Sequence, residues 1–443
     1  MSRGLTADGW SAYDAAVPHP TDLPDVVERS AALRRLRAAP EGASLADVRR
    51  VVLVVSSSRG GSSLFGQVLR TMPGLLHLRA EVNPLFTLAG LHHGVERRRV
   101  LEDELLRDVG APVPAGQVTA EERDRLVLDL AWRLTMQWPA LATWMPLDDL
   151  LGFVDDVVPA VGRVYRPTPV HRSLMVALRR AGAEVHSGYY DLDPSDAEDS
   201  RCPLEPPEGP PGEAVIEMPP FVAIDRWRQA SPSELRSLPL VICTPRCSFR
   251  LEFFRDLFPG ADLRVIHLTR NPAASVNGLV DGWRHHGFFN CRVPGELAIE
   301  GYSNVVPGGT EWWCYDFPPG WQEWTSAPLQ DVCAFQWQAA HAAAIDGCQR
   351  LGIDPLRVPF EDVVGNRHAR SELSAGLASL LGLSRAPVEA ALLTERPVVM
   401  ATTRPSPARW RHRRDALRSL FSDPRVVALA RRLSYDPDPS GWV

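Results

Sequence analysis

Residues 57–64 read SSRGGSSL, a stretch whose amides, hydroxyls and single guanidinium suit an anion. Gly60 and Gly61 let the backbone approach a bound group closely, and Ser62 and Ser63 offer hydroxyl and amide protons. Arg59 supplies a planar cationic fork that holds a pair of phosphate or sulfonate oxygens. A second candidate lies at 268–278, LTRNPAASVNG. There Asn271 and Pro272 read as a helix N-cap followed by proline at the first helical position. Ser275 falls one turn inside that helix, on the side facing Arg270. Two such seats imply a ligand with two anionic ends.

Each seat needs a strand to deliver it and a helix to receive it. VVLVV at 51–55 is an unbroken apolar run, the pattern of a strand buried on both faces of a parallel sheet. Behind the glycines, Leu64, Val68, Leu69 and Met72 share roughly one helical face, so the turn sits at the positive end of a helix. Short strand-like runs recur at Leu240–Thr244, Leu263–Thr269 and Leu356–Phe360, with helices between or after them. That alternation predicts an α/β fold with a central parallel sheet flanked by helices. Helical periodicity runs through 121–138 and stops at Pro139, and a last helix is expected over about 414–433. Residues 1–48 read as an N-terminal arm with one helix around Pro24–Ala38, and 49–443 as a single expanded domain. Within it, the acidic, proline-rich stretch 191–214 predicts a mobile insertion.

Composition narrows the chemistry. The 443 residues contain no lysine; all 48 basic residues counted as Lys+Arg are arginines. A nucleotide triphosphatase loop ends in GK[ST], so P-loop kinases and ATPases are disfavoured, and lysine Schiff-base enzymes are excluded. A net charge of −6 argues against general nucleic-acid binding and leaves any polyanionic ligand to local arginines. Seven cysteines without a CxxC pair suit reduced thiols in a cytoplasmic setting. No apolar run approaches the length of a membrane span, and no ligand set for a metal is legible. Six of the 13 tryptophans fall between Trp283 and Trp337, so 283–330 is expected to form an aromatic lid facing a partly apolar acceptor. A structural core is the competing reading of that cluster.

With these motifs in order, the chain resembles the sulfotransferases that use 3′-phosphoadenosine 5′-phosphosulfate (PAPS), over roughly residues 50–435. SSRGGSSL is similar to that family's 5′-phosphosulfate loop, and LTRNPAASVNG to its 3′-phosphate segment. RVPFEDV (357–363) resembles the strand and acidic pair that end the family's core, and TTRPSPARWRHR (402–413) its C-terminal basic loop. The bacterial, Golgi-like branch is the closer match, in which the base is a glutamate after the first helix; Glu81 in HLRAEVNP stands there. The resemblance implies the P-loop-like sulfotransferase fold and PAPS as co-substrate, with no metal needed. It assigns Arg59, Gly60, Gly61, Ser62, Ser63, Arg270, Ser275 and Arg409 to the nucleotide, and Glu81 with Arg59 to catalysis. His285 and His286 are alternative bases. The implied acceptor is a hydroxyl of a small-molecule or lipid-like natural product. A phosphotransferase using another nucleotide, and a non-catalytic nucleotide-binding protein of the same fold, are the rival readings. Two departures stand out: Asn271 replaces the usual aspartate before proline, and Cys243 takes the place of a frequent lysine, whose role then passes to Arg246 or Arg59.

Overall fold

The VVLVV run forms strand β1 (Arg50–Val55), and its alternate side chains feed two different cores. Val51, Leu53 and Val55 pack on one side with Leu240 and Val265, while Val52 and Val54 pack on the other with Phe65, Leu69 and Ile266. Both faces of a strand are apolar because both faces of the sheet are covered. In this computed structural model, residues 24–79, 95–137, 141, 144–183, 225–284, 290–396, 402, 405–436, 438 and 442 are described. The expected insertion at 191–214, Glu81, His285, His286 and Arg404 lie outside them.

The remaining strands are β2 (Leu76–Leu78), β3 (Val109–Pro112), β4 (Trp227–Gln229), β5 (Leu240–Cys243), β6 (Asp262–Thr269), β7 (Asn290–Arg292), β8 (Trp312–Cys314) and β9 (Leu356–Pro359). Seven of them form one sheet in the order β4-β3-β2-β5-β1-β6-β9. The five from β2 to β9 pair in parallel, and helices flank them, as the alternating pattern predicts. The fold is thus α/β with a central sheet. The sheet is not wholly parallel, because β3 and β4 join it antiparallel at the β2 edge. A helical excursion, with helices at Ala120–Gln137, Leu147–Val157 and Pro167–Arg180, separates those two strands in sequence. Nothing in the short VGAP and WRQ segments announces a strand, so tertiary pairing alone makes them one.

Packing adds detail to three expectations and corrects one; the helix expected around Pro24–Ala38 forms over Pro24–Leu36. The arm expected at 1–48 is anchored over its described part: Leu33, Leu45 and Val48 belong to the same core as Val51, and Arg37 bonds to Asp129 at 2.9 Å and Glu104 at 2.8 Å. The helix expected over 414–433 is broken into Arg418–Ser422 and Pro424–Arg432, because Asp423 caps the second piece and Pro424 opens it. In the aromatic segment expected as a lid, most of the described side chains pack into a third core. Trp283, Trp313, Trp321 and Trp337 are buried, and Trp283 meets Trp313 edge-on with centroids 5.1 Å apart. Two of the ring N–H groups donate inward, Trp283 Nε1 to Gln336 Oε1 at 3.0 Å and Trp313 Nε1 to the Asp316 carbonyl at 2.8 Å.

Under the sheet, His267 Nε2 and His341 Nδ1 share a hydrogen bond of 2.8 Å. Burial, with Arg357 nearby, pulls the His267 pKa down to about 4, and burial pulls His77 down to about 3. Both rings are neutral in the folded chain, while in the unfolded chain they take up protons near pH 6.5. Acid therefore favours unfolding: their contribution is whole above pH 6.5 and drains away as pH falls from there toward 4. The His267 shift alone amounts to about 3 kcal/mol. Melting temperature is expected to drop steeply between pH 6.5 and 5, above the range where ordinary carboxylates titrate. A flat profile across that window contradicts the neutral buried pair.

Candidate functional site

Parallel pairing puts the ends of four strands on one edge of the sheet. β1 runs into Ser56, β5 into Thr244, β6 into Arg270 and β9 into Phe360. Ligands of open α/β sheets bind at that edge.

The β1 turn is tight and strained. Gly60 N–H donates to the Ser57 carbonyl at 3.0 Å, and Arg59, inside that turn, has φ 61°. A non-glycine residue there costs about 1–2 kcal/mol, a strain that folds tolerate mainly where geometry serves a purpose. Gly61 follows at φ 99° and caps helix α1 (Ser62–Arg70). A Cβ at Gly61 would overlap the Phe360 ring, and one at Gly60 would overlap the Ser56 hydroxyl, so both glycines are required by close approach. The buried Ser56 and Ser57 hydroxyls make no hydrogen bond among the described residues. Hydroxyls and amides gathered around a glycine turn at a helix start can accept an anion.

The β6 turn lies against the first. Arg270 Nη1 donates to the Arg59 carbonyl at 3.2 Å, and its guanidinium stacks over Phe360 with 5.0 Å to the ring centroid. Asn271 caps helix α2 (Pro272–Trp283) by accepting from Ala274 N–H at 2.8 Å. Ser275 is fully buried, its hydroxyl turned to the Arg270 carbonyl at 3.5 Å. Burial lowers the Arg270 pKa; Glu361 opposes this, and the neighbouring Arg59 and Arg409 lower it again. Arg59 and Arg409 thus act on Arg270 as like charges, with Glu361 as its counter-charge.

Arg409 reaches this cluster tethered. Its Nη2 contacts Asp281 Oδ2, while Arg413 Nη1 lies 2.5 Å from Asp281 Oδ1 and 2.8 Å from Asn277 Oδ1. The structure therefore brings together Arg59, Gly60, Gly61, Ser62 and Ser63 with Arg270 and Ser275, and holds Arg409 on Asp281 within electrostatic reach of Arg270. Sequence reasoning did not find Asp281, Arg413 or Asn277, since a carboxylate on an alanine-rich helix carries no signal of an arginine pair far along the chain.

The two departures now have structural accounts. Glu361 Oε1 accepts from both Asn271 N–H at 2.8 Å and Asn271 Nδ2 at 2.9 Å, and its Oε2 accepts from the Tyr435 hydroxyl at 2.9 Å. The Asn271 amide donates to Glu361 and caps the helix at once, which an ionised aspartate cannot do. Asn271→Asp is therefore expected to set two carboxylates together and cost about 1–3 kcal/mol of stability. The loss should be largest near pH 8 and shrink toward pH 5, where the pair shares a proton; melting temperature against wild type checks it. Cys243 packs its sulfur 3.5 Å from the Ser62 carbonyl beneath the first turn of α1. Arg246 is buried and engaged with Asp316 and the Tyr315 carbonyl, whereas Arg59 stands in the loop itself.

No protein-family description and no curated protein matches the sequence. Among solved structures the chain is similar to the sulfotransferase domain from the Synechococcus PCC 7002 olefin synthase, at 11% identity and a TM-score of 0.36, covering 90% of this chain and 98% of that one. At that level the likeness is a resemblance and carries no assignment of function.

Proposed function

We propose that this chain is a PAPS-dependent sulfotransferase that moves a sulfonate group onto a hydroxyl of a small-molecule or lipid-like natural product. The observation that carries it is the meeting of two arginine-bearing strand-to-helix turns at one sheet edge, with Arg270 hydrogen-bonded to the Arg59 backbone. In this reading the β1 turn takes the 5′-phosphosulfate, and Arg270 with Ser275 and Arg409 takes the 3′-phosphate. The acceptor oxygen attacks sulfur in line, the bond from sulfur to the 5′-phosphate oxygen breaks, and adenosine 3′,5′-bisphosphate leaves. Glu81 takes the acceptor's proton. Arg59 and the amides of Gly61–Ser63 meet the charge that grows on the leaving phosphate, so positioning and electrostatics supply the catalysis. Arg59, not Arg246, stands in for the missing lysine.

Thermal shift with adenosine 3′,5′-bisphosphate, 5′-AMP and ATP with magnesium tests the reading. Preference for the bisphosphate supports it, and preference for ATP overturns it in favour of a phosphotransferase. Mass spectrometry of small-molecule extracts treated with enzyme and PAPS then identifies the acceptor by its gain of one SO₃.

A further inference from the structure

Between the aromatic core and the anion turn lies one fully buried carboxylate, Asp316. Its Oδ2 accepts from the Ser58 hydroxyl at 2.7 Å, and its Oδ1 lies 3.6 Å from Arg246 Nε. Its backbone carbonyl accepts from Trp313 Nε1 at 2.8 Å and Gln336 Nε2 at 2.9 Å. Gln336 sits on the long helix α3 (Leu329–Leu351), which is held against the aromatic core. Just before it, Tyr315 adopts φ 67° and offers its carbonyl to Arg246 Nη2 at 3.2 Å. Its hydroxyl fills the space that any side chain at position 282 would need. Asp316 is thus clamped from behind by a rigid aromatic block and presents its carboxylate to the turn in front.

A fully buried carboxylate, its pKa pushed up by burial, is costly beside a turn that is to receive an anion unless it does something for that turn. We infer that Asp316 is a positioning residue: it fixes the Ser58 hydroxyl and the Arg246 guanidinium, and through Ser58 holds the strained 57–60 turn in the shape that receives the donor's phosphosulfate end. The inference rests on the PAPS reading. It also gives the tryptophan-rich segment a task on the donor side, in place of a wall for the acceptor.

The test is a cycle of Ser58→Ala, Asp316→Asn and the double variant, each measured for melting temperature and for adenosine 3′,5′-bisphosphate affinity. Asp316→Asn is expected to weaken the bisphosphate about tenfold and Ser58→Ala several-fold, with the double variant close to Asp316→Asn alone. Such coupling appears in affinity only if the pair shapes the seat; a purely structural contact lowers the melting temperature and leaves the affinity of folded protein untouched. Wild-type affinity in the variants, whatever their melting temperatures, overturns the inference. Should Asp316→Asn not fold, Ser58→Ala decides by the same criterion. If wild type ignores the bisphosphate, the donor reading fails separately, and inorganic sulfate becomes the probe. Weaker sulfate binding in the variants then sustains the positioning role, and equal or undetectable sulfate binding removes it.

Discussion

Arg59→Gly is expected to leave the protein about as stable as wild type while weakening adenosine 3′,5′-bisphosphate roughly a hundredfold. The stability half follows from the backbone. Arg59 holds φ 61°, where a side chain costs about 1–2 kcal/mol, and glycine adopts that conformation freely. The extra freedom of glycine in the unfolded chain offsets about 0.4–1 kcal/mol of that relief, so the net change is small. The affinity half follows from charge. A hydrogen-bonded cation facing an anion in a partly buried site is worth about 1.5–3 kcal/mol, the upper end of which is about a hundredfold in affinity. Arg59→Ala makes the contrast sharp: it loses the same guanidinium but keeps the strain, so it should bind as poorly as the glycine variant and melt lower. Calorimetric titration with the bisphosphate and thermal melts on the two variants decide the matter. Wild-type affinity in both would show that the arginine serves only the turn.

Glu81→Gln carries the largest expected effect, a loss of about 10²–10⁴-fold in turnover with bisphosphate affinity almost unchanged. The residue itself lies outside the described part of the chain, but the approach to it is well held. Strand β2 runs parallel to β5, so the chain leaves it at the same sheet edge as the turns that carry Arg59 and Arg270. Arg70, at the end of α1, donates to the carbonyls of Leu78 and Arg79 at 2.9 Å each, and Arg79 N–H donates to Asp108 Oδ2 at 3.0 Å. Glutamine keeps the size of the side chain and removes its capacity to take a proton, which separates chemistry from binding. Single-turnover rates with saturating PAPS read the chemical step directly. A fully active Glu81→Gln would move the base to His285 or His286.

Much of the scaffold was legible beforehand, for local reasons. The apolar runs at 51–55 and 240–243, and the strand-like stretch at 263–269, call for burial within a sheet, and the structure makes each of them a central strand. Gly60 and Gly61 mark a turn no other residue type fits, and Asn271-Pro272 starts a helix by capping chemistry that needs nothing from the rest of the chain. The hidden parts depend on partners far away in sequence. Nothing near Asp281 announces Arg409 and Arg413, and nothing near Asp316 announces Ser58. The tryptophan-rich segment misleads for a related reason: its rings can face a ligand or one another, and the choice depends on whether Gln336 and the Asp316 carbonyl arrive to take their polar edges.

The primary structure thus settles where the backbone turns, which segments must be buried and which groups can attract an anion, because propensity, periodicity and side-chain charge act over a few neighbouring residues. Folding settles which of those groups meet. Parallel pairing of β1 with β6 sets Arg59 beside Arg270, β9 brings Glu361 to Asn271, and the C-terminal turn brings Arg409 to Asp281. Each of those meetings is a distance between residues far apart in the chain, and such distances exist only once the sheet has closed around its two cores.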